Sequence, residues 1–340
     1  MGARLVSLAE LPPEARALFG GDFFSTLSWY ETVVQTALPP ETTADFLVVQ
    51  HQGAVAGVLP LARTRGVWSS LTTPYSQLWQ PLLAPGADAA MVGTALADLC
   101  RRAPVRLDAM DVSCPAWIGI TEGLRRAGIR TLAFAHFGNW IFPGAAMGWD
   151  AYLASRTGAF RELIRRRTRK LLQAGARFQV IGGGDGLAGG IAAYEAMHAK
   201  SWKDTEPFPD FIPALIRACA ADGTVRLGVL SLHGRTLAAQ LWVVAGGTGM
   251  LLKLAHDSSA DAWSPGTVLT GLMVQRLMTQ DAVQALDFGR GDDDYKKHWM
   301  SQRRQIYGVI LANPLWPAGA IAIAKHTVGA LVRGVRESGG

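Results

Sequence analysis

Two segments of the chain follow one plan. Residues 46–61, FLVVQHQGAVAGVLPL, alternate in character around Gln52-Gly53, the pattern of a β-hairpin. Residues 227–242, LGVLSLHGRTLAAQLW, do the same around His233-Gly234, and the two turn glycines lie 181 positions apart. Each hairpin precedes a further strand-like stretch, an apolar-periodic helix (near 88–102 and 266–280) and a short strand ending in aspartate. Those aspartates, Asp108 and Asp287, are 179 positions apart. Order and spacing kept this closely predict two copies of one α/β unit. A length of 340 residues, at ~150 per domain, agrees. The boundary is expected near 145–155, after FPGAAMGW.

The second copy holds the polar content. In LLKLAHDSSADAWSPGTVLTGLM a strand ends near His256, a polar loop follows, and Ser264-Pro265-Gly266-Thr267 opens a helix. Proline in the first turn suits a helix start, and the free N–H groups there attract anions. Beyond the next strand, DFGRGDDDYKKHW gathers Arg290, three acids, Tyr295, Lys296, Lys297, His298 and Trp299 on a glycine-rich loop, a common active-site position in α/β folds. Asp292, Asp293 and Asp294 are consecutive, so their side chains diverge and no metal site is expected. His198 shares a predicted helix with Tyr194, Met197 and Trp202. Gln240 falls on an apolar hairpin strand and must find partners if buried.

Charge is concentrated rather than spread. Arg156–Lys170 contains seven basic residues (Arg156, Arg161, Arg165, Arg166, Arg167, Arg169 and Lys170) and one acid, Glu162, which equals the chain's entire net charge of +6. The helix expected over 160–175 has a basic half and an apolar arc of Phe160, Leu163, Ile164 and Leu171. Arg167 falls inside that arc and must snorkel or meet an anion. An anionic partner follows from the concentration of charge. Cys100, Cys114 and Cys219 lie too far apart for a C-x-x-C site or a disulfide framework. No run reaches the ~20 apolar residues of a membrane span. The opening MGARLVSLAELPPEA lacks a signal peptide's apolar stretch, so a cytoplasmic protein, peripheral at the inner membrane, is expected.

The series W-x-x-Y-L-A-x-R-x-G-x-F-R, RRR-x-RK-L, M-H-A-K-S-W, G-R-x-x-A-A-Q, S-P-G-T and D-F-G-R-G-x-x-x-Y-K-x-x-W resembles the FemAB-like/CelD-like branch of the GNAT acyltransferases. The resemblance covers roughly 20–315 and is densest over 149–300. It implies an α+β fold of two fused GNAT-like units, each a mixed, mostly antiparallel sheet flanked by helices. Residues 1–150 would form a supporting unit, 151–317 the unit with the acyl-donor site, and 318–340 a terminal helix and tail.

It also implies acyl transfer to an amine, with acyl-CoA or an acyl carrier protein as donor and no permanently bound cofactor. Ser264, Pro265, Gly266 and Thr267 match the turn that holds the coenzyme A pyrophosphate. Leu254, on the strand before it, would meet the pantetheine arm. The amine needs a base, for which His198, His256 and Asp287 are candidates. A strand amide helped by Lys296 would stabilise the oxyanion, and Tyr295 would reprotonate the thiolate. Arg161, Arg165, Trp202, Gln240, Arg290 and Trp299 are candidate substrate contacts. The acceptor is expected to be a lipid or cell-envelope amine, such as a sphingoid base, near an anionic membrane surface. Two alternatives remain: an aminoacyl-tRNA-dependent Fem-type transferase, the one reading that involves nucleic acid, and a non-catalytic GNAT-like module in polysaccharide biosynthesis.

Overall fold

A computed structural model describes residues 2–201 and 205–337. The chain forms two compact units, one of residues 1–137 with 305–340 and one of residues 138–304.

The first unit begins with β1 (Gly2–Val6), α1 (Pro13–Arg16) and α2 (Leu27–Thr36). The hairpin β2 (Thr42–His51) and β3 (Ala54–Thr64) follows, then β4 (Val67–Ser70), β5 (Leu82–Leu83), α3 (Ala89–Leu99), β6 (Val105–Met110) and α4 (Pro115–Arg126). Strand β7 (Arg130–Phe142) carries the chain into the second unit. There come α5 (Trp149–Ala154), α6 (Gly158–Gln173), β8 (Arg177–Ile181), α7 (Leu187–Lys200) and α8 (Phe211–Ala221). The second hairpin, β9 (Val225–Leu232) and β10 (Arg235–Ala245), leads to β11 (Thr248–His256), α9 (Pro265–Thr279), β12 (Ala285–Arg290) and α10 (Lys296–Trp299). Strand β13 (Gln302–Ala312) returns to the first unit, where α11 (Pro317–Glu337) follows.

The sequence repeat is realised in the pairing. In the first unit β1, β2, β3 and β4 run antiparallel in order, and β4 then pairs parallel with β6. In the second, β8, β9, β10 and β11 run antiparallel in order, and β11 pairs parallel with β12. A parallel pair needs a crossover, which α3 supplies in one copy and α9 in the other. The expected division at 150/151 shifts to 137/138, and residues 305–317 belong to the first unit. The reason is strand pairing: β13 joins β6 at Tyr307–Met110 and Val309–Leu107, and β12 joins β7 at Leu286–Phe142 and Asp287–Ile141.

Each unit has its own core. In the first, Val92 and Leu96 of α3 and Ile120 and Leu124 of α4 cover Leu59, Leu107 and Val309. Glycine lets α3 and α4 approach closely, because a Cβ on Gly123 would stand 1.9 Å from the Ala90 carbonyl oxygen. In the second, Val268, Leu269, Met273 and Leu277 of α9 lie over Trp242, Leu230 and Leu286. Each such side chain removed from water contributes roughly 1.5–3 kcal/mol. That packing fixes the start of α9 against the end of β11.

Candidate active site

Strand β11 pairs with β12 over only part of its length. Thr248, Gly249 and Met250 face Ala285, Leu286 and Asp287 of β12, and beyond Met250 that pairing ends. On the other side β10 stays in register up to Ala238–His256. Opposite Leu241 and Trp242 the partners are Lys253 and Leu251, so Leu252 is an extra residue, a β-bulge. From Leu251 to His256 the strand keeps its pairing with β10 and runs on past the end of the β12 ladder.

Beside that end of the strand α9 begins. Ser264 is its N-cap, held in the left-handed region at φ 53°, and its side chain makes no capping hydrogen bond. Pro265 is the first helical residue, leaving the N–H groups of the next residues free. Gly266 and Thr267 reach a cavity of about 560 Å³. Its other walls are Leu254 and His256 from β11, Thr157, Ala159, Phe160 and Leu163 at the start of α6, Thr270 of α9, and Tyr295, His298 and Trp299 around α10. The lining is largely apolar with a few polar groups, the usual character of a small-molecule site.

At this cavity His256 is held by an acid. Its Nε2 is 3.1 Å from Asp261 Oδ1, in the turn between β11 and α9. A carboxylate only accepts, so Nε2 carries the proton and Nδ1 keeps its lone pair. A Cβ on Gly266 would sit 3.3 Å from that Nδ1, which puts the basic nitrogen beside the helix start. The turn is anchored by Asp257, whose carboxylate accepts from Ser259 N at 3.0 Å, Ser259 Oγ at 2.7 Å and the Arg235 guanidinium. Arg235 first and Ser259 next hold its carboxyl down at about 2.

Tyr295 also faces the cavity. Desolvation raises its phenol above the ordinary tyrosine range and Asp293 adds to the rise, so the hydroxyl keeps its proton near neutrality. Cys100 and Cys219 are buried, which pushes both thiols up to about 12 and leaves them poor nucleophiles.

Several candidates sit elsewhere. Asp287 is buried and its carboxylate is engaged by Asn139 Nδ2 at 2.7 Å, Gly289 N at 2.7 Å and Arg304 Nη2 at 3.0 Å. His198 Nε2 lies 3.2 Å from Glu206 Oε1, which also takes Lys253 Nζ at 2.6 Å, and it lines a separate cavity with Tyr194 and Ile212. Lys296 is buried, with Nζ donating to the Arg290 carbonyl at 2.6 Å and pairing with Asp293 at 3.1 Å. It fastens the loop after β12 rather than reaching the cavity. Asp292 and Asp294 are likewise bound to their own cations, Arg303 and Lys297.

Part of the basic segment is spent on structure. Arg161 donates to the Ala154 and Arg156 carbonyls, both at 2.8 Å, and Arg156 to those of Trp299 and Met300, both at 3.2 Å. Arg167 meets no acid; Nη1 donates to the Ala262 carbonyl at 2.7 Å, while Lys170 stands 4.7 Å over the Trp263 ring. Arg165 lines a different groove, beside Trp149 and Arg169. Arg290 is exposed at the end of β12. Gln240 lies behind α9, donating to Thr270 Oγ1 at 2.7 Å and accepting from Trp242 Nε1 at 2.8 Å. Trp202 lies outside the described residues.

The structure therefore gathers Leu254, His256, Gly266, Thr267, Tyr295 and Trp299 at one cavity, with Ser264 and Pro265 framing its helix. It adds residues that sequence patterning did not single out for the site. His298, one turn after Tyr295, stacks on Phe160 with ring centroids 5.5 Å apart. Phe160 and Leu163 belong to the apolar arc of α6, which read as core.

Residues 158–297 match the Acetyltransferase (GNAT) domain family. No curated protein matches the chain at significant similarity. Among solved structures it resembles FemX at 14% identity, over 92% of this chain and 97% of that one, with a TM-score of 0.59. It also resembles the C-terminal domain (DUF2156) of a putative lysylphosphatidylglycerol synthetase from Agrobacterium fabrum, at 12% identity over 85% and 89% of the two chains, TM-score 0.53. L-PGS from Bacillus licheniformis matches at 11% identity over 84% and 90%, TM-score 0.54. At these identities the structural likenesses are likenesses of fold. Residues 158–297 of the second unit thus carry the match to the GNAT acetyltransferase domain family, and the chain as a whole has a fold like that of FemX.

Proposed function

We propose that this protein is an N-acyltransferase that moves an acyl group from an acyl-CoA thioester to the primary amine of a lipid or cell-envelope acceptor, with a sphingoid base as the sharpest candidate. The observation that carries the reading is the meeting of the uncapped start of α9, His256 at the end of β11 and an apolar cavity. A diphosphate fits the free N–H groups at the start of α9, and an acyl chain fits the walls of Phe160, Leu163, Leu254 and Trp299.

The chemistry balances without a covalent enzyme intermediate. The amine nitrogen, once neutral, attacks the thioester carbonyl and forms the new C–N bond. His256 Nδ1 takes the proton the nitrogen must lose, and the Asp261 carboxylate stabilises the imidazolium that results. A backbone N–H at the mouth of the cavity stabilises the oxyanion. As the intermediate collapses the C–S bond breaks, and the Tyr295 hydroxyl returns a proton to the departing thiolate. Amide and free coenzyme A are the products.

The test supplies purified protein with acyl-CoA donors of graded length and with sphinganine, and follows release of free thiol. Thiol released only when the amine is present, with N-acyl product, supports the reading. Amide formed from an aminoacyl-tRNA, with no thiol released from any acyl-CoA, contradicts it.

A further inference from the structure

Helix α11 is turned with its apolar stripe outward. Among residues 317–329, Gly319 is buried, Ala322, Ile323, His326 and Gly329 are half-buried, and Ile321, Ala324, Lys325 and Val328 are exposed. At 3.6 residues per turn the first five positions share the inward face, and Ile321, Ala324 and Val328 share the outward one. Ile321 is 56% exposed and Val328 60%, and just ahead of the helix Leu315 is 90% and Trp316 44% exposed. The contact at the inward face is close, because a Cβ on Gly319 would stand 2.0 Å from the Asn313 carbonyl oxygen. An ordinary surface helix hides its apolar stripe and shows its charges. This one exposes Lys325 but also turns Ile321, Ala324 and Val328 outward, and in the sequence the i, i+3, i+7 spacing continues through Leu331 and Val335.

We propose that α11 seats the protein on the interface of an anionic lipid bilayer. Charge selects this occupant. From Pro317 to Glu337 the sequence holds Lys325, Arg333 and Arg336 against one acid, the terminal Glu337, so the helix carries net positive charge beside its apolar stripe. Trp316, partly exposed at the helix start, is the residue type that settles at the headgroup level. Among the described residues no helix is long and apolar enough to cross a membrane, which fits a helix lying in the interface plane. A second copy of the chain is the poorer partner. Pairing through Ile321, Ala324 and Val328 would leave Lys325 facing no acidic side chain, and Gly319, Gly329 and Gly334 weaken a free-standing coiled coil.

The experiment floats the purified full-length protein with phosphatidylcholine vesicles and with phosphatidylcholine vesicles containing phosphatidylglycerol, without donor or acceptor. It is therefore independent of the acyl-transfer reading. The wild type should float with the phosphatidylglycerol vesicles and far less with phosphatidylcholine alone. The double variant Ile321→Glu/Val328→Glu should lose that binding by about 10-fold or more, and Lys325→Glu by roughly fivefold at low salt. Both exposed sites tolerate polarity, so the melting temperature should stay within a degree or two of wild type. The proposal is overturned if the wild type fails to float with phosphatidylglycerol vesicles, or if the double variant floats as well as wild type. It is equally overturned if light scattering finds a dimer that the double variant converts to a monomer.

Discussion

His256 Nε2 stands 3.1 Å from Asp261 Oδ1, and this pairing turns the other ring nitrogen toward the first turn of α9. In the proposed reaction His256 is the base and Asp261 its positioning residue. Replacing His256 with Gln should lower kcat by about 10²–10⁴-fold. Asp261→Asn should lower kcat by a smaller factor, about tenfold, with KM for the donor unchanged. Steady-state kinetics on the two variants decide it, and turnover within twofold of wild type in His256→Gln would remove the assignment.

Gly266→Ala separates stability from activity. Alanine in the first turn of α9 is as good a helix former as any, so the melting point should hold or rise slightly. Its methyl group, however, would press on His256 Nδ1 from 3.3 Å. Turnover should fall while thermal stability does not, and a variant with wild-type turnover would show that this nitrogen is idle.

Acyl-chain preference should be set by the apolar wall. Leu163 lines the cavity from α6, and Leu163→Trp fills part of its roughly 560 Å³. Long-chain donors should lose about 10-fold or more in kcat/KM, while acetyl-CoA changes little, because the loss tracks the space denied to the chain. Equal loss across chain lengths would place the chain elsewhere.

Acid should loosen the turn that carries Asp261. Asp257 has its carboxyl held at about 2 by Arg235 and Ser259, against ~3.9 for an unfolded aspartate. A depressed carboxyl gives its stabilisation in full above about pH 4 and loses it as pH falls toward 2. Asp257→Ala should therefore melt below wild type at pH 7, by about 1–2 kcal/mol for the lost cap and pair, and the gap should close by pH 2. Melting curves across that range check both the sign and the window.

Much of this was legible in the sequence, for local reasons. Hairpins announce themselves through alternation and turns such as Gln52-Gly53 and His233-Gly234, and the start of α9 through Ser264-Pro265-Gly266. Partnerships over long separations were not legible. Nothing in the residues of β13 says that they pair with β6, so the unit boundary was set too late. Nor does composition reveal that Lys296 and Arg161 spend their charge on backbone carbonyls. His298 and Phe160 stack although 138 positions separate them, and neither shows a local sign of the other. For α11 the amphipathic pattern is legible but its orientation is not, since a helical pattern fixes which residues share a face but not which way that face turns.

The central claim is that a coenzyme A thioester lies beside the end of β11 with its diphosphate at the start of α9. Amide hydrogen exchange with and without a non-hydrolysable acyl-CoA analogue tests it most directly. The account predicts slowed exchange confined to residues 251–256 and 266–268. Exchange unaltered there, or protection appearing instead around the His198–Glu206 cavity, would contradict it.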